Sequence, residues 1–264
     1  MKKYLVIGNP ISHSLSPELH NHWIKQHGLN ALYEKKKLND NELEKLISDI
    51  KTGSINGVNV TVPFKNAIIP YLDELSNDAK NTQAVNTIYL KDKKVIGHNT
   101  DIDGFENAIK KINFDFKNKK IFILGAGGVV PSIIYASIKM KSSEIIISNR
   151  TREKAEQVKK LFDKIKLIDW GEVPNFDVII NATSLGLNPE DKINLDFTNT
   201  GKNKLFYDVI YNPTETHFLK MAKKSGNKNE NGRLMFVYQA FSAFKLWHGV
   251  EPTINNDTLK LLDQ

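Results

Sequence analysis

An apolar run, Ile121-Phe122-Ile123-Leu124, breaks into Gly125-Ala126-Gly127-Gly128, and a helical pattern follows from about residue 130 to 141. Strand, glycine turn and helix in that order aim backbone amides at a helix N-terminus, where they can receive a pyrophosphate. Gly125 and Gly127 take the first two positions of Gly-x-Gly-x-x-Gly, but Val130 holds the third. A purely structural turn, with glycines for close packing, therefore stands as the alternative. Pro131 is tolerated in the first turn because the first helical amides have no partner to lose.

Short apolar runs alternate with amphipathic segments along the rest of the chain, which predicts an α/β fold with parallel strands. Strands are expected near residues 4–7, 32–36 and 57–60, and again at 144–148, 177–181 and 205–209. Ser16 reads as an N-cap with Pro17 at the first helical position, and Gly28 closes that helix; Asp40 opens the next, and Gly53 closes it. The polar, glycine-bounded stretch 225–232 reads as a mobile loop before a last helix over 234–247. At 264 residues the chain suits one large or two modest domains.

Composition removes several classes of function. With no cysteine, disulfides, thiolate zinc sites and thiol catalysis are excluded. The seven histidines show no metal-ligand spacing, so no metal is expected. No run approaches the roughly 20 apolar residues of a membrane span and no secretory leader is evident, so a cytoplasmic protein without membrane partners is expected. The net charge of +7 comes from lysines scattered among acids, with arginine only at 150, 152 and 233, which argues against nucleic acid.

Two of those arginines sit where a cofactor is chosen. A ribose 2′-hydroxyl is usually held by an acid about 20 residues past the glycines, but here the second strand ends in Asn149-Arg150-Thr151-Arg152, with Lys154 following. That cluster suits a 2′-phosphate and predicts NADP(H), against a plain cationic surface that would oppose the helix dipole. On the other side, Asn59 to Lys65 lies just past a strand end, where parallel sheets bind ligands, and Asn99-Thr100-Asp101 opens a helix downstream. A Lys65–Asp101 pair is the candidate for chemistry; the alternative is one more solvated lysine.

The chain resembles shikimate dehydrogenases over essentially its full length. The likeness runs through Gly8-Asn9-Pro10-Ile11, Ser14-Leu15-Ser16-Pro17, Asn59 to Lys65, Ala84-Val85-Asn86-Thr87, Asn99-Thr100-Asp101 and the glycine turn. It continues through Asn149-Arg150-Thr151, Asn181-Ala182-Thr183-Ser184-Leu185-Gly186, Tyr211-Asn212-Pro213, Asn231-Gly232 and Met235 with Gln239-Ala240. Three departures are Val129-Val130-Pro131-Ser132 after the glycines, Lys154 where the family commonly has arginine, and Gln83 where it has glycine.

The resemblance implies a two-lobed α/β protein. A substrate domain with a mixed or parallel sheet, residues 1–101 plus about 233–264, would flank a Rossmann-type, doubly wound NADP domain over 102–232. It implies reversible reduction of 3-dehydroshikimate to shikimate by NADPH, in aromatic amino-acid biosynthesis. Ser14 and Ser16 would hold the substrate carboxylate. Thr61, Asn86, Tyr211 and Gln239 would hold carboxylate or ring hydroxyls, with Lys65 and Asp101 catalytic at the reacting oxygen. Gly125, Ala126, Gly127 and Gly128 would take the pyrophosphate, and Asn149, Arg150, Thr151, Arg152 and Lys154 the adenosine phosphate. Thr183, Leu185, Val209 and Gly232 would line the nicotinamide. The expected partner is a small-molecule substrate, with the protein a monomer or homodimer. A dual shikimate/quinate dehydrogenase is the nearest rival; Ser16 favours shikimate. A noncatalytic NADPH sensor would have no need of Lys65, Asp101 and Gln239 together, and a structural α/β protein would leave the glycine turn without purpose.

Overall fold

The computed structural model describes residues 1–263, which form two compact units, one of Met1–Gly104 with the segment from Val237 onward, the other Phe105–Phe236. In the first unit, β1 (Lys2–Gly8), α1 (Ser16–Gln26), β2 (Ala31–Lys37), α2 (Leu43–Lys51) and β3 (Gly57–Val60) build the parallel part of a sheet. After a short α3 (Phe64–Ala67) come β4 (Glu74–Leu75), α4 (Asn77–Thr82) and the antiparallel hairpin β5 (Thr87–Lys91) and β6 (Lys94–His98). The strand order is β2-β1-β3-β5-β6-β4, so the sheet is mixed: β5 pairs antiparallel with β3.

The α2 sequence explains its own placement. Leu43, Leu46, Ile47 and Ile50 recur at helical spacing and are buried with Leu5, Val58 and Ile88 of the sheet. Each such side chain contributes about 1.5–3 kcal/mol when fully buried. The other aromatic-rich part of this unit packs α1 and the C-terminal helix on one another. Trp23, His20, Tyr33 and Tyr4 meet Phe244 and Trp247, and the Trp247 indole lies across Gly57 and donates to the Ile88 carbonyl (3.1 Å).

α5 (Asp101–Lys111) carries the chain into the second unit, where β7 (Lys120–Leu124), α6 (Val130–Lys139), β8 (Glu144–Ser148), α7 (Arg152–Lys159), β9 (Lys166–Leu167), β10 (Val178–Asn181) and β11 (Leu205–Asp208) follow. With α8 (His217–Lys224) and β12 (Lys228–Glu230) they complete a wholly parallel sheet of order β12-β11-β10-β7-β8-β9. α9 (Arg233–His248) returns the chain to the first unit, and α10 (Asn256–Lys260) ends it. Strands β7, β10 and β11 are buried almost throughout, as expected of central parallel strands covered on both faces.

Two local expectations are corrected. Stretch 225–232 is not a loose loop: Lys228–Glu230 is an edge strand paired with β11, and the buried Asn227 side chain donates to the Gly201 carbonyl (3.1 Å) and Ser225 Oγ (3.1 Å). Ser16 is the first residue of α1 and not its cap; Leu15 occupies that position, and Ser14 Oγ accepts from the Ser16 amide (3.3 Å). Among the described residues no helix is long and apolar enough to cross a membrane.

Candidate active site

The first unit gathers its polar residues at the C-terminal end of β3. Lys65 follows that strand on α3 and is buried, with Nζ donating to Asp101 Oδ2 at 2.5 Å. Asp101 opens α5, and its amide donates to Asn99 Oδ1 (3.1 Å). Its second oxygen, Oδ1, accepts from Asn86 Nδ2 (2.9 Å), while Asn86 Oδ1 accepts from the Thr100 amide (2.7 Å). Both carboxylate oxygens are therefore bonded, which fixes the plane of Asp101 and, through it, the Lys65 ammonium. Backbone bonds brace the same group: the Val85 amide donates to the Lys65 carbonyl (2.8 Å).

Buried polar groups need partners, and this cluster is nearly self-sufficient. Asn59 Nδ2 donates to the Asn86 carbonyl and to Thr87 Oγ1, both at 3.1 Å, and Thr87 and Thr100 hydroxyls lie 3.1 Å apart. Ser14 and Ser16 sit next to one another, Oγ to Oγ 3.2 Å, with Ser14 half-buried. Thr61 is half-buried just beyond β3, and Gln239 is half-buried on α9. Gln83, standing in for the family's glycine, adopts φ +47°, the left-handed conformation that favours glycine, and it ends α4, its side chain donating to the Lys80 carbonyl (2.8 Å).

The second unit supplies an anion cradle. Gly125 has φ +114°, and a Cβ there would lie 2.7 Å from the Ala182 carbonyl oxygen, so only glycine fits. Around Gly127 a Cβ would meet nothing, and among the described residues no backbone acceptor takes the amides of Ala126, Gly127, Gly128 or Val129. Amides without a backbone acceptor at the start of α6 fit a pyrophosphate. Past β8, Asn149 Nδ2 donates to the Thr151 carbonyl (2.8 Å), shaping the turn that presents the exposed Arg150 and Thr151. Arg152 is already engaged, by Asp169 and by Glu156 (3.5 Å), which leaves Arg150 and Lys154 as the cations there without an ion pair among the described residues. The donor set fits NADP(H).

The nicotinamide candidates hang from one acid that sequence reasoning did not single out. Thr183 amide and hydroxyl both donate to Asn181 Oδ1 (3.1 and 2.7 Å), the Leu185 amide donates to Thr183 Oγ1 (3.1 Å), and Asn181 Nδ2 donates to Asp208 Oδ1 (3.1 Å). Asp208 also accepts from the Ile210 amide (3.0 Å) and the Thr216 hydroxyl (2.6 Å). Burial pushes its carboxyl up to about 6, against the pull of those three bonds. Tyr211 stacks on Phe236 with ring centroids 4.4 Å apart, and Gly232 lies so close under Val209 that a Cβ would overlap its carbonyl oxygen. No group of acids and histidines capable of holding a metal occurs among the described residues.

Comparison with known proteins meets this geometry from outside. The family profile for the shikimate dehydrogenase substrate binding domain matches residues 6–88, and that for shikimate/quinate 5-dehydrogenase matches residues 106–209. A shikimate dehydrogenase (NADP+) from Pelagibacter ubique is 55% identical over 262 residues, covering 99% of both chains. A shikimate dehydrogenase crystallised with NADP+ has a TM-score of 0.88 and 38% identity, covering all of this chain and 95% of that one. The Thermus thermophilus enzyme, crystallised with NADP(H) and shikimate, has a TM-score of 0.90 at 29% identity, covering 100% and 99%.

Proposed function

The chain belongs to the shikimate dehydrogenase family, and from that premise we propose that it reduces 3-dehydroshikimate reversibly to shikimate, with Lys65 and Asp101 at the reacting oxygen. NADPH is the reductant and, when bound, supplies the hydride. The buried Lys65–Asp101 pair carries the assignment of roles. An oxygen that changes from carbonyl to hydroxyl must gain a proton, and a positioned ammonium is a direct donor. One proton of Lys65 Nζ is committed to Asp101; the others are available to substrate oxygens, and in the reverse direction the neutral amine takes the proton back.

Asp101, held by Asn86 and Asn99, keeps Nζ in place through the cycle. Ser14 and Ser16 offer hydroxyls to the substrate carboxylate, with Thr61, Asn86, Tyr211 and Gln239 for the remaining polar groups; each unpaired group would cost affinity. Residues 1–101 with the C-terminal helix are the substrate domain in this reading, and the parallel-sheet unit holds the cofactor. Gly125, Ala126, Gly127 and Gly128 would hold the pyrophosphate, and Asn149, Arg150, Thr151 and Lys154 the adenosine phosphate. Thr183, Leu185, Val209 and Gly232 would surround the nicotinamide. Arg152, tied to Asp169, would act on the phosphate only by exchanging that partner.

Nicotinamide absorbance of purified protein with shikimate tests the reading. Rapid reduction of NADP+, slower reduction of NAD+ and little with quinate is the expected outcome; quinate as the better substrate would transfer the assignment to a quinate enzyme. Ser14→Ala is expected to raise KM for shikimate by about tenfold with kcat changed less, as for a group that binds substrate and transition state alike. An unchanged KM would remove Ser14 from the carboxylate site.

A further inference from the structure

Asp208 stands fully buried at the end of β11, in register with Asn181 at the end of β10, and among the described residues no lysine or arginine pairs with it. Burial disfavours a charge there, a cost that a neutral side chain of the same size would avoid. What the carboxylate supplies is a pair of oxygens that accept and do not donate, and neutral donors use both of them.

Those bonds divide between two tasks. Oδ1 takes Asn181 Nδ2 (3.1 Å) and the Ile210 amide (3.0 Å). The first bond holds Asn181, whose own Oδ1 accepts from the Thr183 amide and hydroxyl. The second closes a turn around Val209, whose amide donates to the Asn181 carbonyl (3.0 Å). A single oxygen therefore fixes both the turn over 183–185 and Val209. Oδ2 faces the other way: it takes the Thr216 hydroxyl (2.6 Å), and Thr216 caps α8 by accepting from the Leu219 amide (3.4 Å). An asparagine at 208 would keep Oδ1 with its two bonds and turn an amide toward Thr216, whereas an alanine would lose every one.

We propose, on the reading that Thr183, Leu185 and Val209 line the nicotinamide, that Asp208 is a positioning residue for the cofactor's reacting ring, holding both segments that face the ring from one carboxylate oxygen. It is too deeply buried to touch cofactor or substrate. The Oδ2 bond anchors α8 and leaves the seat of the ring unaltered.

Competition between NADPH and 2′-phospho-ADP-ribose, which keeps the adenosine phosphate and the pyrophosphate but has no nicotinamide, separates this role from a general loss of structure. For each variant, KM for NADPH in the reduction of 3-dehydroshikimate is divided by Ki for the fragment. Asp208→Ala is expected to raise that ratio about tenfold, while Asp208→Asn and Thr216→Val should keep it within about threefold of the parent. Leu185→Ala acts at the seat of the ring directly and should raise the ratio as well. Asn181→Ala cuts the same tether nearer the ring; it should raise the ratio too, and it carries the test if Asp208→Ala does not fold. A raised ratio in Leu185→Ala with an unchanged one in Asp208→Ala, or equal increases in Asp208→Ala, Asp208→Asn and Thr216→Val, overturns the role of Asp208 and leaves the nicotinamide reading intact. An unchanged ratio in Leu185→Ala overturns that reading itself, and the role of Asp208 with it.

Discussion

Lys65→Met is expected to turn over shikimate about a thousandfold more slowly than the parent enzyme, with KM for shikimate changed by less than about tenfold. Positioned acid–base groups contribute typically 10²–10⁴ in rate, and no other ammonium or imidazole lies among the residues bonded to Asp101. Methionine keeps the buried stem while removing the charge. Removing one partner of a buried ion pair also strands the other, at about 3–5 kcal/mol, so Asp101 is left costly in the variant. Stability must therefore be measured beside turnover. One observation makes the result specific: the folded variant should still show cofactor binding by quenching of nicotinamide fluorescence. A kcat within tenfold of the parent in a folded protein would falsify the assignment of Lys65 as proton donor.

The second large effect concerns acid. Burial, with the neighbouring His248 adding to it, pulls the His20 imidazole from its ordinary 6.5 down to about 3, and neither ring nitrogen has a partner. The unfolded chain binds a proton at His20 below about pH 6.5 and the folded one does not until near pH 3, so stability falls as pH falls through that window. His20 alone then removes roughly 3 kcal/mol between about pH 7 and about pH 4.5. Asp208 has the opposite sign: its raised carboxyl takes up protons in the folded state first, so its contribution to stability declines as pH rises from its unfolded value to about 6. That term is common to parent and variant and cancels between them. Denaturant unfolding of parent and His20→Phe at both pH values should show the variant's relative stability improving by roughly 3 kcal/mol on acidification. An unchanged difference between the two proteins would mean that His20 finds a partner or water in solution.

What could be read from the sequence was what short-range rules govern. The strands at 120–124, 144–148 and 178–181 are apolar runs of ordinary length, and α2 announces itself by its spacing. Lys65 and Asp101 were legible as a pair only because both stand beside recognisable turns. Lys228–Glu230 was not legible as a strand, since Lys-Asn-Glu has little β preference and is ordered by pairing with β11 at a sheet edge. The N-cap at Ser16 was misplaced by one residue: Leu15 holds the position although leucine has no capping oxygen, and the serine that accepts a first-turn amide is Ser14. Arg152 looked free for a phosphate until Asp169, seventeen residues on, was seen to hold it. Tyr33, His20 and Asp208 lie deepest beyond sequence: a polar residue's burial and partners are decided by distant segments, as in the bond from Tyr33 to Asn59.

The first unit's discontinuity has a consequence for how the molecule is made. Trp23 donates to the Thr253 carbonyl (3.1 Å), Tyr4 lies 5.1 Å from Trp247, and everything from Val237 onward belongs with the first hundred residues. A ribosome delivers the polypeptide N-terminus first. The aromatic face around Tyr4, Trp23 and Tyr33 therefore waits, uncovered, through translation of the entire parallel-sheet unit, which is continuous in sequence and has all its strands in hand sooner. Order of synthesis and order of sealing run in opposite directions: the nascent chain's earliest residues are enclosed by its last.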